Sequence, residues 1–100
     1  MKENLEMDVA YLLRSLEQAL RAGYSLRQAV DRVSQDVAGL EALVEDLRNE
    51  RPIDVSFRDW AAGRAEPDVG LVVGAVRLQL EDGGNLADKF GLLHRVLERR

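Results

Sequence analysis

The sequence has no cysteine, one histidine, two prolines and five aromatic side chains in 100 residues. The missing cysteine excludes a disulfide framework, a thiolate nucleophile and a cysteine-ligated zinc site. A lone histidine, His94, excludes a metal site built on several histidines. No run approaches the about 18 consecutive apolar residues of a membrane span. Residues 1–8 are polar and mixed in charge and carry no apolar signal-peptide core. Positive charge is not in excess. Fourteen Lys and Arg against eighteen Asp and Glu leave a net charge of -4, which argues against strong nucleic-acid binding. No Pro-, Gly- or Ser-rich stretch marks a linker.

What is present is one small domain. Hydrophobic residues at 46% and charged residues at 32% are ordinary for a globular chain. Residues 1–50 hold six basic and ten acidic groups, while residues 51–100 hold eight of each. These features suit a small, cytosol-facing helical or mixed domain with little catalytic equipment.

Apolar residues recur at helical spacing almost throughout. Leu5, Val9, Leu12, Leu13, Leu16, Ala19 and Leu20 form one stripe, and Gly23 follows it where a left-handed residue closes a helix. Ser25 is then an N-cap candidate ahead of Leu26, Ala29, Val30 and Val33. Residues 36–39 read as a break, and Leu40, Leu43, Val44 and Leu47 as a third helix. Pro52 keeps Arg51 out of the helical region and starts a fourth helix with Ile53, Phe57, Trp60 and Ala61. Gly63 and Pro67 bracket the next break. Val69 to Val73 is β-prone, but helical spacing continues through Leu71, Val72, Ala75, Val76, Leu78 and Leu80. Gly83-Gly84 ends that helix, and Asn85 is a cap candidate for Leu86, Phe90, Leu93 and Leu97.

The expected fold is all-α: six short helices near 5–22, 26–36, 40–49, 53–62, 67–82 and 86–98, paired as three αα-hairpins in one bundle. A weak repeat supports the pairing. Gly23-Tyr24-Ser25-Leu26, Glu50-Arg51-Pro52-Ile53 and Gly83-Gly84-Asn85-Leu86 each open the second helix of a pair. Lys89 breaks the small-then-large pattern that follows in the third copy. The expected core is Leu12, Leu16, Leu26, Val30, Leu43, Leu47, Phe57, Leu71, Ala75, Leu78, Phe90, Leu93 and Leu97. Trp60 is expected to pack beside Phe57. Gly70, Gly74 and Gly91 lie inside helices, where close approach of another helix is the simplest compensation.

Candidate chemistry is sparse. His94 has Glu98 one turn away as an orienting carboxylate, and a surface helical pair explains it as well. Glu41, Glu45 and Asp46 in the third helix suit a hard cation, a hydrolytic carboxylate pair, a protein interface or a solvated face. Gly83-Gly84-Asn85 resembles a phosphate-binding helix start, but no strand precedes it and no phosphate-loop spacing is present. No cofactor or metal site is expected. The last six residues hold Arg95, Arg99 and Arg100, and the two arginines at the C-terminus suit phosphate contacts or the basic flank of a membrane segment.

The order and spacing of Leu16, Gly23, Ser25, Leu26, Ala29, Pro52, Ile53, Gly83, Gly84, Asn85 and Leu86 resemble the type II secretion system F domain family. That family comprises cytoplasmic domains of inner-membrane platform proteins in type II secretion, type IV pili and Tad/Flp pili, and the likeness is nearest the Tad/Flp branch. Where the family carries glycine two residues before the proline, this chain has Glu50. The resemblance implies a non-enzymatic six-helix bundle on the cytoplasmic face of the inner membrane, joined to membrane helices this sequence lacks. It implies a hexameric secretion ATPase and other platform subunits as partners, with self-association among them, and no nucleic acid. Glu41, Glu45 and Asp46 are the first candidates for the ATPase contact, because charge complementarity orients docking. Two other classes stay open: a helical regulatory or nucleic-acid-binding domain, and a small enzyme using Glu41, Glu45 or His94.

Overall fold

Asp8 begins the first helix by accepting from the Tyr11 backbone N–H at 3.0 Å. This satisfies one of the donors that every helix start leaves open. In the computed structural model, which describes residues 6–100, six helices follow in order: α1 (Val9–Arg21), α2 (Leu26–Val33), α3 (Glu41–Arg48), α4 (Ile53–Ala62), α5 (Val69–Asp82) and α6 (Leu86–Glu98). No strand occurs among the described residues, and Val69 to Val73 is helical. Leu5, expected in the first helix, lies outside them.

The expected helix positions hold, with trimmed ends. Asp8 delays α1 to Val9, and turns over residues 34–36 end α2 three residues early. Pro67 and Asp68 form a turn ahead of α5 rather than its first turn.

The three repeat tetrapeptides do the same local work. Gly23 (φ 104°) and Glu50 (φ 62°) are both left-handed. Gly23 donates to the Leu20 carbonyl while Tyr24 reaches the Ala19 carbonyl. Glu50 donates to Leu47 while Arg51 reaches Asp46. Both are Schellman closures, and Gly23 is the C′ residue of α1 as expected. Gly83 and Gly84 also take positive φ, 78° and 90°, but there the Gln79 side chain holds the Gly84 carbonyl at 2.8 Å. Position three of each tetrapeptide is the N-cap. Ser25 forms a capping box with Gln28, Asn85 accepts from the Asp88 N–H, and Pro52 fixes φ without a side-chain bond.

The three hairpins, α1–α2, α3–α4 and α5–α6, then pack in a ring. α2 lies on α3 and α4 on α5. The most extensive pairing joins α1 to α6. It is antiparallel, since Glu17 meets His94 and Arg21 meets Asp88. Arg27 links two hairpins by donating to the carbonyls of Leu47 at 2.7 Å and Arg51 at 2.9 Å across the α3–α4 turn.

The core holds Leu12, Leu13, Leu16, Val30, Leu40, Leu43, Leu47, Phe57, Trp60, Val72, Ala75, Val76 and Phe90. Phe57 and Trp60 stand edge to face, 6.2 Å between centroids. The expected core needs correction in α5. Leu78 is 50% exposed and Leu71 only half-buried, while Val69, Val72 and Val76 take the inner face. Leu26, Leu93 and Leu97 are half-buried against the core rather than inside it.

Candidate functional site

Helix geometry puts Glu41 and Glu45 one turn apart on a single face of α3, with Asp46 turned about 100° further round. Leu43, Val44 and Leu47 occupy the buried side. Glu41 is exposed and accepts from the Gly39 N–H at 3.1 Å, beside the start of α3. Glu45 is exposed and makes no hydrogen bond or ion pair among the described residues. Asp46 is half-buried and held by Arg51 at 2.7 Å, and Arg51 also reaches Asp59 at 3.1 Å. The three acids thus divide: Glu41 and Glu45 are available to a partner, and Asp46 braces the α3–α4 turn. No group of three or more metal-ligating side chains occurs among the described residues.

His94 sits between Glu17 on α1 and Glu98 on its own helix, 3.4 Å from each. Its Nδ1 is buried without a hydrogen-bond partner. Glu17 also pairs with Arg21 at 2.8 Å, and Arg21 with Asp88. Gly91 makes the room. A Cβ there would lie 2.5 Å from a Glu17 carboxylate oxygen. This cluster fastens α1 to α6.

Gly83-Gly84-Asn85 is accounted for locally. The Lys89 ammonium folds back onto the Gly83 carbonyl at 3.0 Å and Asn85 caps α6. Of the terminal arginines, Arg100 reaches Asp68 at 3.3 Å, while Arg95 and Arg99 are exposed.

A polar clasp that the sequence patterns did not mark lies at the opposite end of the chain's logic. The Gly39 carbonyl accepts from Trp60 Nε1 at 2.8 Å and from Arg64 at 3.3 Å. Arg64 also grips Glu66 through two bonds, at 2.6 and 2.9 Å, and the Met7 N–H donates to the same carboxylate at 2.8 Å. Glu66 is 8% exposed. The Arg64 guanidinium, then the Met7 amide, hold its carboxyl down at about 2.

The other missed feature is a groove between α5 and α6, lined by Gly70, Leu71, Gly74, Leu78, Leu92 and Leu93. Gly91 has the close neighbour expected of a helix-interior glycine. Gly70 and Gly74 do not, since a Cβ at either would meet nothing within 4 Å. Each therefore costs about 1 kcal/mol against alanine with nothing in the described fold to offset it. The sequence signal was available: glycines four apart, with Leu78 four further on, on an unusually apolar helix.

No described helix is long and apolar enough to cross a membrane. Comparison with protein-family models, with curated proteins and with solved structures finds no match to this chain.

Proposed function

We propose that this chain is a non-enzymatic docking domain of an inner-membrane platform protein, of the kind used in type II secretion or Tad/Flp pilus assembly, and that its partner is the hexameric secretion ATPase. The observation that carries the reading is Glu50. It stands where the resembled family has glycine, and its φ of 62° is a conformation glycine takes at little cost. The departure in sequence therefore leaves the backbone of that turn intact. A second support is the antiparallel α1–α6 pairing, which sets the start of α1 and the end of α6 at the same end of the bundle. A domain held to one membrane surface by flanking segments needs that placement. The exposed Glu41–Glu45 face supplies a contact of defined charge.

The test is titration of the cognate ATPase against the domain with its membrane segments restored. Replacing Glu41 and Glu45 by lysine is expected to weaken binding while leaving helical content and Tm unchanged. Equal affinity for both proteins sinks the contact assignment, and no binding by the wild type sinks the docking function. A salt-dependent shift on mixing with duplex DNA would favour the nucleic-acid alternative instead.

A further inference from the structure

α3 begins without a side-chain cap. At its cap position stands Leu40, which is buried and has no acceptor for the open N–H groups of the first turn. A helix of eight residues is marginal by itself, so its start has to be held from outside. Two holds meet there, and both act on Gly39. On one side the Glu41 carboxylate reaches back past Leu40 to the Gly39 N–H, at 3.1 Å and 3.4 Å from its two oxygens. On the other, the Gly39 carbonyl accepts from Trp60 Nε1 and from the Arg64 guanidinium.

The Gly39 backbone has no slack. Its φ is 98°, and the Arg64 guanidinium and the Met7 methyl fill the space where a Cβ would stand. Arg64 is fixed in turn by two bonds to Glu66, and Glu66 by the Met7 N–H. A run of hydrogen bonds therefore joins Met7, Glu66, Arg64, Gly39 and Glu41, which come from three separate stretches of the chain. Charge follows the same line. The bond to Glu66, and then the nearby charge of Glu41, raise the Arg64 guanidinium above its ordinary value. Glu45 has no comparable hold. It makes no hydrogen bond or ion pair among the described residues, and the cation one turn on, Arg48, is taken by Asp31.

We infer, resting on the reading of Glu41 and Glu45 as the ATPase contact, that Arg64 and Glu66 are positioning residues for that contact. They fix Gly39, and Gly39 fixes the Glu41 carboxylate. Glu41 is thereby presented in one rotamer, while Glu45 adapts. A carboxylate accepts along about four directions, so the bond to Gly39 leaves Glu41 able to receive a cationic group of the partner. A side chain ordered before binding does not have to be ordered by it, which is worth about two- to tenfold in affinity. The coupling is reciprocal: a partner that engages Glu41 tightens the bonds at Gly39 and Met7 behind it.

Solution NMR of the 100-residue chain tests the positioning with no partner present. Three-bond couplings should report one χ1 rotamer for Glu41 and averaging for Glu45. Arg64→Met keeps the stem and removes the guanidinium. It should average Glu41 as well, and speed hydrogen exchange at the Gly39 amide by about two- to tenfold beyond any change at the core amides of α1. Trp60→Phe keeps the ring against Phe57 and removes one bond to the Gly39 carbonyl. It should act in the same direction, and it serves where Arg64→Met does not fold. A Glu41 averaged in the wild type, or fixed in both variants, overturns the inference. Titration of the cognate ATPase, with the membrane segments restored, then reads the contact. Arg64→Met should weaken binding about two- to tenfold. Glu41→Ala should cost less in that background than in the wild type. Equal costs in both backgrounds also overturn the inference, because a residue that only supports the fold adds to the loss at Glu41. A wild type that binds no ATPase removes the ATPase reading, and the couplings still decide whether Arg64 positions Glu41.

Discussion

α1 and α5 are close in length, 13 and 14 residues, and both are rich in leucine, valine and alanine, yet the fold uses them differently. α1 puts its apolar residues on one stripe, and Val9, Leu12, Leu13, Leu16 and Ala19 are all buried. α5 is apolar on nearly every side. It buries Val69, Val72, Ala75 and Val76 but leaves Leu78 at 50% and Leu80 at 53% exposure. A striped helix has one way to face the core. A helix apolar all round leaves its orientation to its neighbours, and the face they do not take is surplus.

The sharpest test of that contrast exchanges the same side chain in both helices. Leu16→Ala should cost about 2–5 kcal/mol and Leu78→Ala less than about 0.5 kcal/mol. Equal shifts in urea midpoint would erase the distinction.

The start of α1 and the α4–α5 loop meet at Glu66, which binds Met7 just before α1 and Arg64 just after α4. Its carboxyl titrates at about 2 in the folded protein against an ordinary 4.5. The folded pKa is the depressed one. The clasp's contribution is therefore complete above about pH 4.5 and is lost as pH falls toward 2. Glu66→Gln should remove on the order of 2–3 kcal/mol at pH 7 and flatten the acid limb of a stability–pH curve.

Glycine substitutions sharpen the comparison further. Gly39→Ala puts a Cβ 2.5 Å from Arg64 and 3.0 Å from Met7, at a φ of 98°, so it should cost more than about 1 kcal/mol. Gly74→Ala in α5 meets nothing and should stabilise the fold by up to about 1 kcal/mol, read as a Tm rise of a few degrees. A comparable gain is expected at the α3–α4 turn. Glu50→Gly should raise stability by up to about 1 kcal/mol by relieving a left-handed non-glycine residue, and Glu50→Ala should not.

Helix count, order and pairing were legible because each break carries its own chemistry: Gly23 with Ser25, Arg51 with Pro52, Gly83-Gly84 with Asn85. Striped helices declared their buried faces, which is why Leu12, Leu16, Leu43 and Leu47 were assigned correctly. α5 misled because it is apolar all round: Leu71 and Leu78 looked as inward as Val72, Ala75 and Val76. The Glu66 clasp was invisible, because it joins Met7, Gly39 and Arg64 from three separate loops and nothing local in the sequence relates them. Glu41 and Glu45 were readable as an exposed pair. That Asp46 serves Arg51 instead follows only from the turn that brings Arg51 back beside it.

The α1–α6 pairing also bears on how the chain finds its fold. Five of the six helix contacts in the ring join neighbours in sequence, and each can form locally. The sixth joins Arg21 to Asp88, 67 positions apart. Closing a loop of that length costs about 1.5 kcal/mol more than closing one of about ten residues. Neighbouring hairpins can therefore assemble first, with α6 the late arrival that seals α1 into the core. A circular permutant that joins the two ends and opens the chain at Gly83-Gly84 makes α6 and α1 neighbours, and its folding should be faster at equal stability.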